Sequence, residues 1–271
     1  MDRFTNSGLG TSGLSMTSSL DKLAACKFAL DNVNGKYVAL LLYGSHARGD
    51  QRPDSDIDVL QISSHPAKSY RVGRASFSVY IQDYLLRLAA EGDLFALHLK
   101  LDASTISGSA VYLQQIQAAF RQRETYESLR TELQQIANLL DVNKDEYAKH
   151  WVGLERLCKY VLRTHLYSRL ADNGTPSFSM SKVAETLNDD RVFQCHIEEV
   201  TGPDYLRFLH LRSLYEEYSN YRPENVYGSI EAAVVNAFPS HPKLVSLGLR
   251  TLSNTEVELP YSSFSASSST K

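Results

Sequence analysis

One segment of the chain, Leu41 to Leu60, combines residue types and spacings that could do chemistry. Gly44 has no Cβ, so the backbone can turn sharply there and a phosphate can approach closely. The hydroxyl of Ser45, together with the N–H groups of a short helix starting near His46, is suited to hold phosphate oxygens. Asp56 and Asp58 stand two residues apart on a predicted strand, so their carboxylates leave the same face. Carboxylates held in that way repel unless a divalent cation neutralises them. Oxygen-only ligands select a hard ion, with Mg²⁺ the first choice when phosphates share its coordination sphere.

Elements on both sides of the segment must position it. Leu23, Cys26, Leu30 and Val33 recur at helical spacing, with Ser18 or Ser19 to cap the start and Asn34-Gly35 to end it. Lys36–Tyr43 is a near-continuous apolar run that reads as a strand buried on both faces. Residues 44–55 are polar, and Asp56–Ile62 resumes as a second strand. Ser76–Ile81 alternates, with Phe77, Val79 and Ile81 on one side and Ser76, Ser78 and Tyr80 on the other. Asp83 is placed to cap a helix from Tyr84.

Beyond about residue 107 the pattern is helical. Leu129, Leu133, Ile136 and Leu140 form one stripe, and Tyr147, Trp151, Leu154, Cys158, Val161 and His165 another, between Asn143 and Asn173-Gly174. A third stripe, Phe208, Leu211, Tyr215 and Tyr218, ends at Pro223. The expected fold class is α+β. A small α/β domain with a short mixed sheet (19–106) precedes an all-helical domain (107–250), flanked by a disordered tail (1–18) and a mobile C-terminal tail (251–271) rich in Ser, Thr and Gly.

With Gly44-Ser45, ten intervening residues (46–55) and Asp56-Ile-Asp58, the segment resembles the DNA polymerase β-like nucleotidyltransferase superfamily. Ala47-Arg48-Gly49 and Ser55 add to the likeness, which is nearest to the bacterial minimal nucleotidyltransferases over residues 36–62. The resemblance implies transfer of a nucleoside monophosphate from a nucleoside triphosphate, ATP by default, to an acceptor hydroxyl with release of pyrophosphate. It implies Asp56 and Asp58 as the catalytic metal ligands for Mg²⁺ or Mn²⁺. Gly44, Ser45, Arg48 and Ser55 are implied as the nucleotide-binding residues.

The resemblance also implies a third carboxylate on the next strand, and here the sequence departs from it. The polar positions there are Ser76, Ser78 and Tyr80, none of them acidic. Glu91 and Asp93 read as solvated at the far end of the following helix. A binding module that regulates or neutralises a partner, without efficient turnover, is therefore the alternative to an enzyme.

Other signals are weaker. Arg191 and His196 have the spacing of HEPN-type RNases, a spacing that chance alone supplies in a chain of this composition. Lys68, Arg71 and Arg74 read first as a solvated loop, with phosphate contact as the alternative, and His46 either reaches a phosphate or simply occupies an exposed first turn. His98 and His165 read as packed or hydrogen-bonded.

With a net charge of −3 and no basic run, a nucleic-acid acceptor is disfavoured. A small-molecule hydroxyl or a partner protein side chain is the expected acceptor, and a homodimer is compatible with the sequence. No stretch reaches the roughly 20 apolar residues of a membrane span. No secretory signal is evident, and three scattered cysteines suggest neither a disulfide framework nor a zinc site, so the expected location is cytoplasmic.

Overall fold

The structure, a computed structural model, describes residues 12–198 and 200–253. The described chain divides into two compact units. One comprises the residues up to Ala90 with Ala96–Phe120, the other Glu91–Phe95 with the residues from Arg121 onward.

The first unit is built on a five-stranded mixed sheet in the order β3-β4-β2-β1-β5. In chain order it runs α1 (Ser12–Asn32), β1 (Ala39–Tyr43), the single turn α2 (Ser45–Arg48), β2 (Ile57–Ser63), β3 (Tyr70–Val72), β4 (Ala75–Ile81) and α3 (Gln82–Ala90). Most of α4 (Leu94–Asp102), then β5 (Ser104–Gly108) and α5 (Val111–Ala119), complete it. β1 pairs antiparallel with β2 and β5, while β2 pairs parallel with β4. β1 is buried along its whole length, as its unbroken apolar run requires. Leu40, Leu42, Ile57, Val59, Ala75 and Phe77 pack as one core against Ala25 and Ala29 of α1. By the two-residue period of a strand, Leu41, Tyr43, Asp58, Leu60, Ser76 and Ser78 share the opposite face.

Several local expectations are corrected. α1 begins at Ser12, within the segment read as a tail, and not at a Ser18 or Ser19 cap. Serine and threonine cost only about 0.5 kcal/mol each against alanine inside a helix, which a growing helix recovers by propagation. Residues 1–11 of that tail, and 254–271 of the C-terminal one, lie outside the described residues, and helix continues to Ser253. Asp83 does not cap: α3 starts at Gln82, so Asp83 sits in its first turn, where a negative charge meets the positive helix end. Where a solvated loop is expected, Tyr70–Val72 forms the strand β3, too short for its three residues to show alternation. It pairs antiparallel with β4, closed by Gly73 at φ 54°.

The second unit is helical. It contains α6 (Glu127–Ala137), a 3-10 turn at Asn138–Leu140, and the long α7 (Lys144–Asp172). α8 (Met180–Leu187), α9 (Asp190–Ile197), α10 (Tyr205–Ser219), α11 (Ile230–Ala237) and α12 (Pro242–Ser253) follow. Asn143 caps α7 through Glu146 N–H at 2.9 Å, as its side chain predicts. Tyr147, Leu154, Cys158 and Val161 of α7 are buried with Phe208, Leu211 and Tyr215 of α10. Gly153 lets α7 meet the backbone of Thr251 in α12, a contact that any Cβ would block. No helix among the described residues is long and apolar enough to cross a membrane.

Candidate active site

Two sequence-predicted residues, Gly44 and Asp58, meet at one end of the sheet. Tyr43, the last residue of β1, lies opposite Asp58 of β2, so Gly44 emerges beside that carboxylate. Gly44 adopts φ 73° and ψ −155°, a conformation essentially reserved for glycine. A Cβ built on it would overlap the Oδ2 of Asp58, so the absent side chain is what lets the turn close over the carboxylate. Ser45 then opens α2, a single turn in which Ala47 and Arg48 N–H donate to the Gly44 carbonyl, both at 3.1 Å. Gly49 at φ 82° ends it.

Asp56 precedes β2 and Asp58 lies on it, both half-buried. Arg71 of β3 faces Asp56, with Nη2 2.5 Å from Oδ1 and Nη1 3.3 Å from Oδ2. The sheet explains the contact: Asp58 is in register with Ser76 across β2 and β4, and Ser76 with Arg71 across β4 and β3. The Asp56 carboxylate thus already holds one positive charge. Two carboxylates, a glycine cradle at Asp58 and a neighbouring serine hydroxyl form a donor set that fits a hard divalent cation. Asp56 and Asp58 are the residues that would hold it.

Arg48 and Ser55 are engaged by their surroundings. The Arg48 guanidinium donates to Asp102 at 2.8 Å through Nη1 and to Asp50 at 3.1 Å through Nε. His98 Nε2 lies 3.1 Å from the same Asp102 oxygen, and its ring meets the edge of Tyr43 at 5.4 Å. Burial alone would raise the Asp102 carboxyl, but the bonds from His98 and Arg48 hold it below its usual value. This cluster ties α2 to α4 and orders the turn after Gly44. The Ser55 hydroxyl accepts Arg52 N–H at 2.8 Å, closing the polar loop that leads into Asp56.

His46 is buried, contrary to the exposed turn expected for it. Its Nε2 lies 3.4 Å from the Ser55 carbonyl and 3.2 Å from Arg74 Nη2. Burial, opposed by the Ser55 carbonyl and helped by Arg74, lowers its pKa. Ser78 on β4 pairs with the Tyr43 hydroxyl at 3.2 Å, and Ser76 is the cross-strand neighbour of Asp58, so no acid stands on β4 beside the aspartates.

Other candidates lie elsewhere. Asp93 is buried, not solvated, and accepts Phe95 N–H at 2.8 Å at the start of α4. Arg191 and His196 share α9 but point about 140° apart around it, and Arg191 is paired with Asp189 and Glu217. Within the helical unit Glu155 pairs with Arg207 at 2.8 Å and Glu216 with Arg212 at 3.1 Å. Sequence reasoning missed the direct contact of Arg71 with Asp56. Its only signal was a basic residue two before Gly73.

Among curated proteins, none matches the chain. Residues 28–140, which contain Gly44, Ser45, Asp56 and Asp58, match the family described as Nucleotidyltransferase domain, and the match supports the polymerase β-like nucleotidyltransferase superfamily for this segment.

Proposed function

We propose that the chain is a Mg²⁺-dependent nucleotidyltransferase that moves a nucleoside monophosphate from a nucleoside triphosphate, ATP by default, to a hydroxyl of a small molecule or protein. The observation that carries this reading is the closure of Gly44 over the Asp58 carboxylate, with Asp56 beside it on the same strand entry. The Gly44 turn and Ser45 hold the triphosphate against the sheet end, and Asp56 and Asp58 supply the anionic cradle. A divalent cation held by Asp56 and Asp58 would supply charge neutralisation for the triphosphate and alignment of the acceptor oxygen. The acceptor oxygen forms its bond to the α-phosphorus, pyrophosphate leaves, and the hydroxyl proton passes to water, since β4 offers no carboxylate. Arg48 acts by positioning, its guanidinium held by Asp50 and Asp102 while it fixes the turn.

The test is incubation of the purified chain with Mg²⁺ and α-labelled triphosphates, with and without cell extract. Label is expected on a protein or small molecule, and Asp56→Asn is expected to lower it by more than about a hundredfold, because the cation loses a charged ligand. Equal labelling by Asp56→Asn would overturn the assignment of this site. Triphosphate binding with no label in any extract would replace the enzyme by a binding module.

A further inference from the structure

Glu146 and His150 stand one turn apart on α7, and Glu231 lies in the first turn of α11. One oxygen of each carboxylate and one ring nitrogen of the histidine lie within 4.8 Å of one another. None of the three belongs to the site formed by Asp56 and Asp58.

The group is ordered by the protein. Glu146 is only 9% exposed, and its Oε1 accepts Ile230 N–H at 3.2 Å, which fixes the carboxylate against the start of α11. His150 Nε2 faces Glu231 Oε1 at 3.6 Å, too far for a hydrogen bond. Two ligand atoms each about 2.1 Å from one tetrahedral ion would be roughly 3.4 Å apart, so this separation suits a shared ion better than a direct bond. The other ring nitrogen, Nδ1, is buried and has no hydrogen-bond partner. Nε2, the nitrogen that faces Glu231, is thus the one placed to ligate, and Nδ1 is left for the protein interior. Among the described residues no lysine or arginine pairs with either carboxylate.

We infer that Glu146, His150 and Glu231 form a second metal site, selective for a transition-series divalent cation of the Zn²⁺, Co²⁺ and Mn²⁺ class. An imidazole with two carboxylates suits these ions, whereas Mg²⁺ prefers an all-oxygen octahedron with several waters. Three protein ligands leave at least one position to water, the pattern of an open and exchangeable site. The ion joins α7, at the residue where its backbone departs from helix (His150, φ −123°), to the start of α11.

The experiment uses the full chain carrying Asp56→Asn and Asp58→Asn, which removes the other candidate cation site, stripped with a chelator and titrated with Zn²⁺ alone or Co²⁺ alone. One equivalent of Zn²⁺ is expected to bind and to raise the unfolding temperature. Co²⁺ is expected to give visible absorption of four- or five-coordinate strength. Adding Glu231→Gln or His150→Gln should weaken Zn²⁺ binding by more than about tenfold and abolish the Co²⁺ bands. Glu231 is half-exposed, so its substitution leaves the stripped protein folded even if the histidine variant does not fold. Absence of Zn²⁺ binding to the double aspartate variant, or unchanged affinity in Glu231→Gln, overturns the inference.

Discussion

The guanidinium of Arg71 spans the carboxylate of Asp56, one nitrogen to each oxygen, from a strand in register with its neighbour's Ser76. Both side chains are about one-third exposed, at 33% and 34%. A pair this open contributes about 0.2–1 kcal/mol. In the proposed site Arg71 therefore competes with a cation for Asp56 but does so weakly.

Replacing Arg71 by alanine should tighten Mn²⁺ or Mg²⁺ binding in the absence of nucleotide by up to about fivefold, the equivalent of that pair energy. Calorimetric titration of metal alone reads this directly. Weaker metal binding in the variant would show that Arg71 shapes the cradle and does not compete with the ion.

Gly44→Ala should abolish transfer and destabilise the chain by about 1–3 kcal/mol, because its backbone lies in a region that other residues pay heavily to enter. The added Cβ also displaces the Asp58 carboxylate. Urea unfolding measures the first effect and metal titration the second. Wild-type metal affinity in Gly44→Ala would sever the link between the turn and the carboxylate.

Asp102→Asn removes the negative charge shared by Arg48 and His98, leaving one neutral amide oxygen to accept, and should cost about 2–3 kcal/mol at pH 7. The folded protein holds this carboxyl below its unfolded value of about 3.9. Its contribution is therefore present above that pH and lost as the pH falls through the lower folded value. Stability of wild type and variant, compared by urea titration across pH, should stay apart down to about pH 4 and converge only below the lower folded value.

His165 shows the opposite chemistry for a base. Burial, reinforced by Arg169, lowers its pKa to about 4, and Nε2 donates to the Tyr218 carbonyl at 3.2 Å. The unfolded ring takes up a proton near pH 6.5 while the folded one resists. Stability is thus complete above about pH 6.5 and declines toward pH 4, by at most about 3 kcal/mol from this group. His165→Gln, which keeps a donor for Tyr218, should flatten the unfolding free energy between those two values. An unchanged slope would place the acid sensitivity elsewhere.

The strands β1, β2 and β4 were legible because an unbroken apolar run and a clean alternation each have one strand reading. The Gly44–Asp58 neighbourhood follows from β1 and β2 being an antiparallel pair joined by the polar loop. β3 was not legible, since Tyr70–Val72 is too short to show a period, and Arg71 went with it into the loop. The ties of Arg48 to Asp102, 54 positions on, and of Glu146 to α11, 84 positions on, depend on tertiary packing and leave no local trace. The burial of His46 is hidden for the same reason: a polar ring after a serine looks solvated until Ser55 folds back over it.

β3 is one edge of the sheet, three residues long, and the central one of the three is the arginine that reaches Asp56. A strand that short offers few open backbone groups, and a charged side chain on it discourages pairing with another chain. A protein acceptor approaching this edge would gain little by extending the sheet. Recognition there would have to come from side chains and loops, so a stiff extended peptide is a poorer guest at this rim than a folded surface presenting a single hydroxyl.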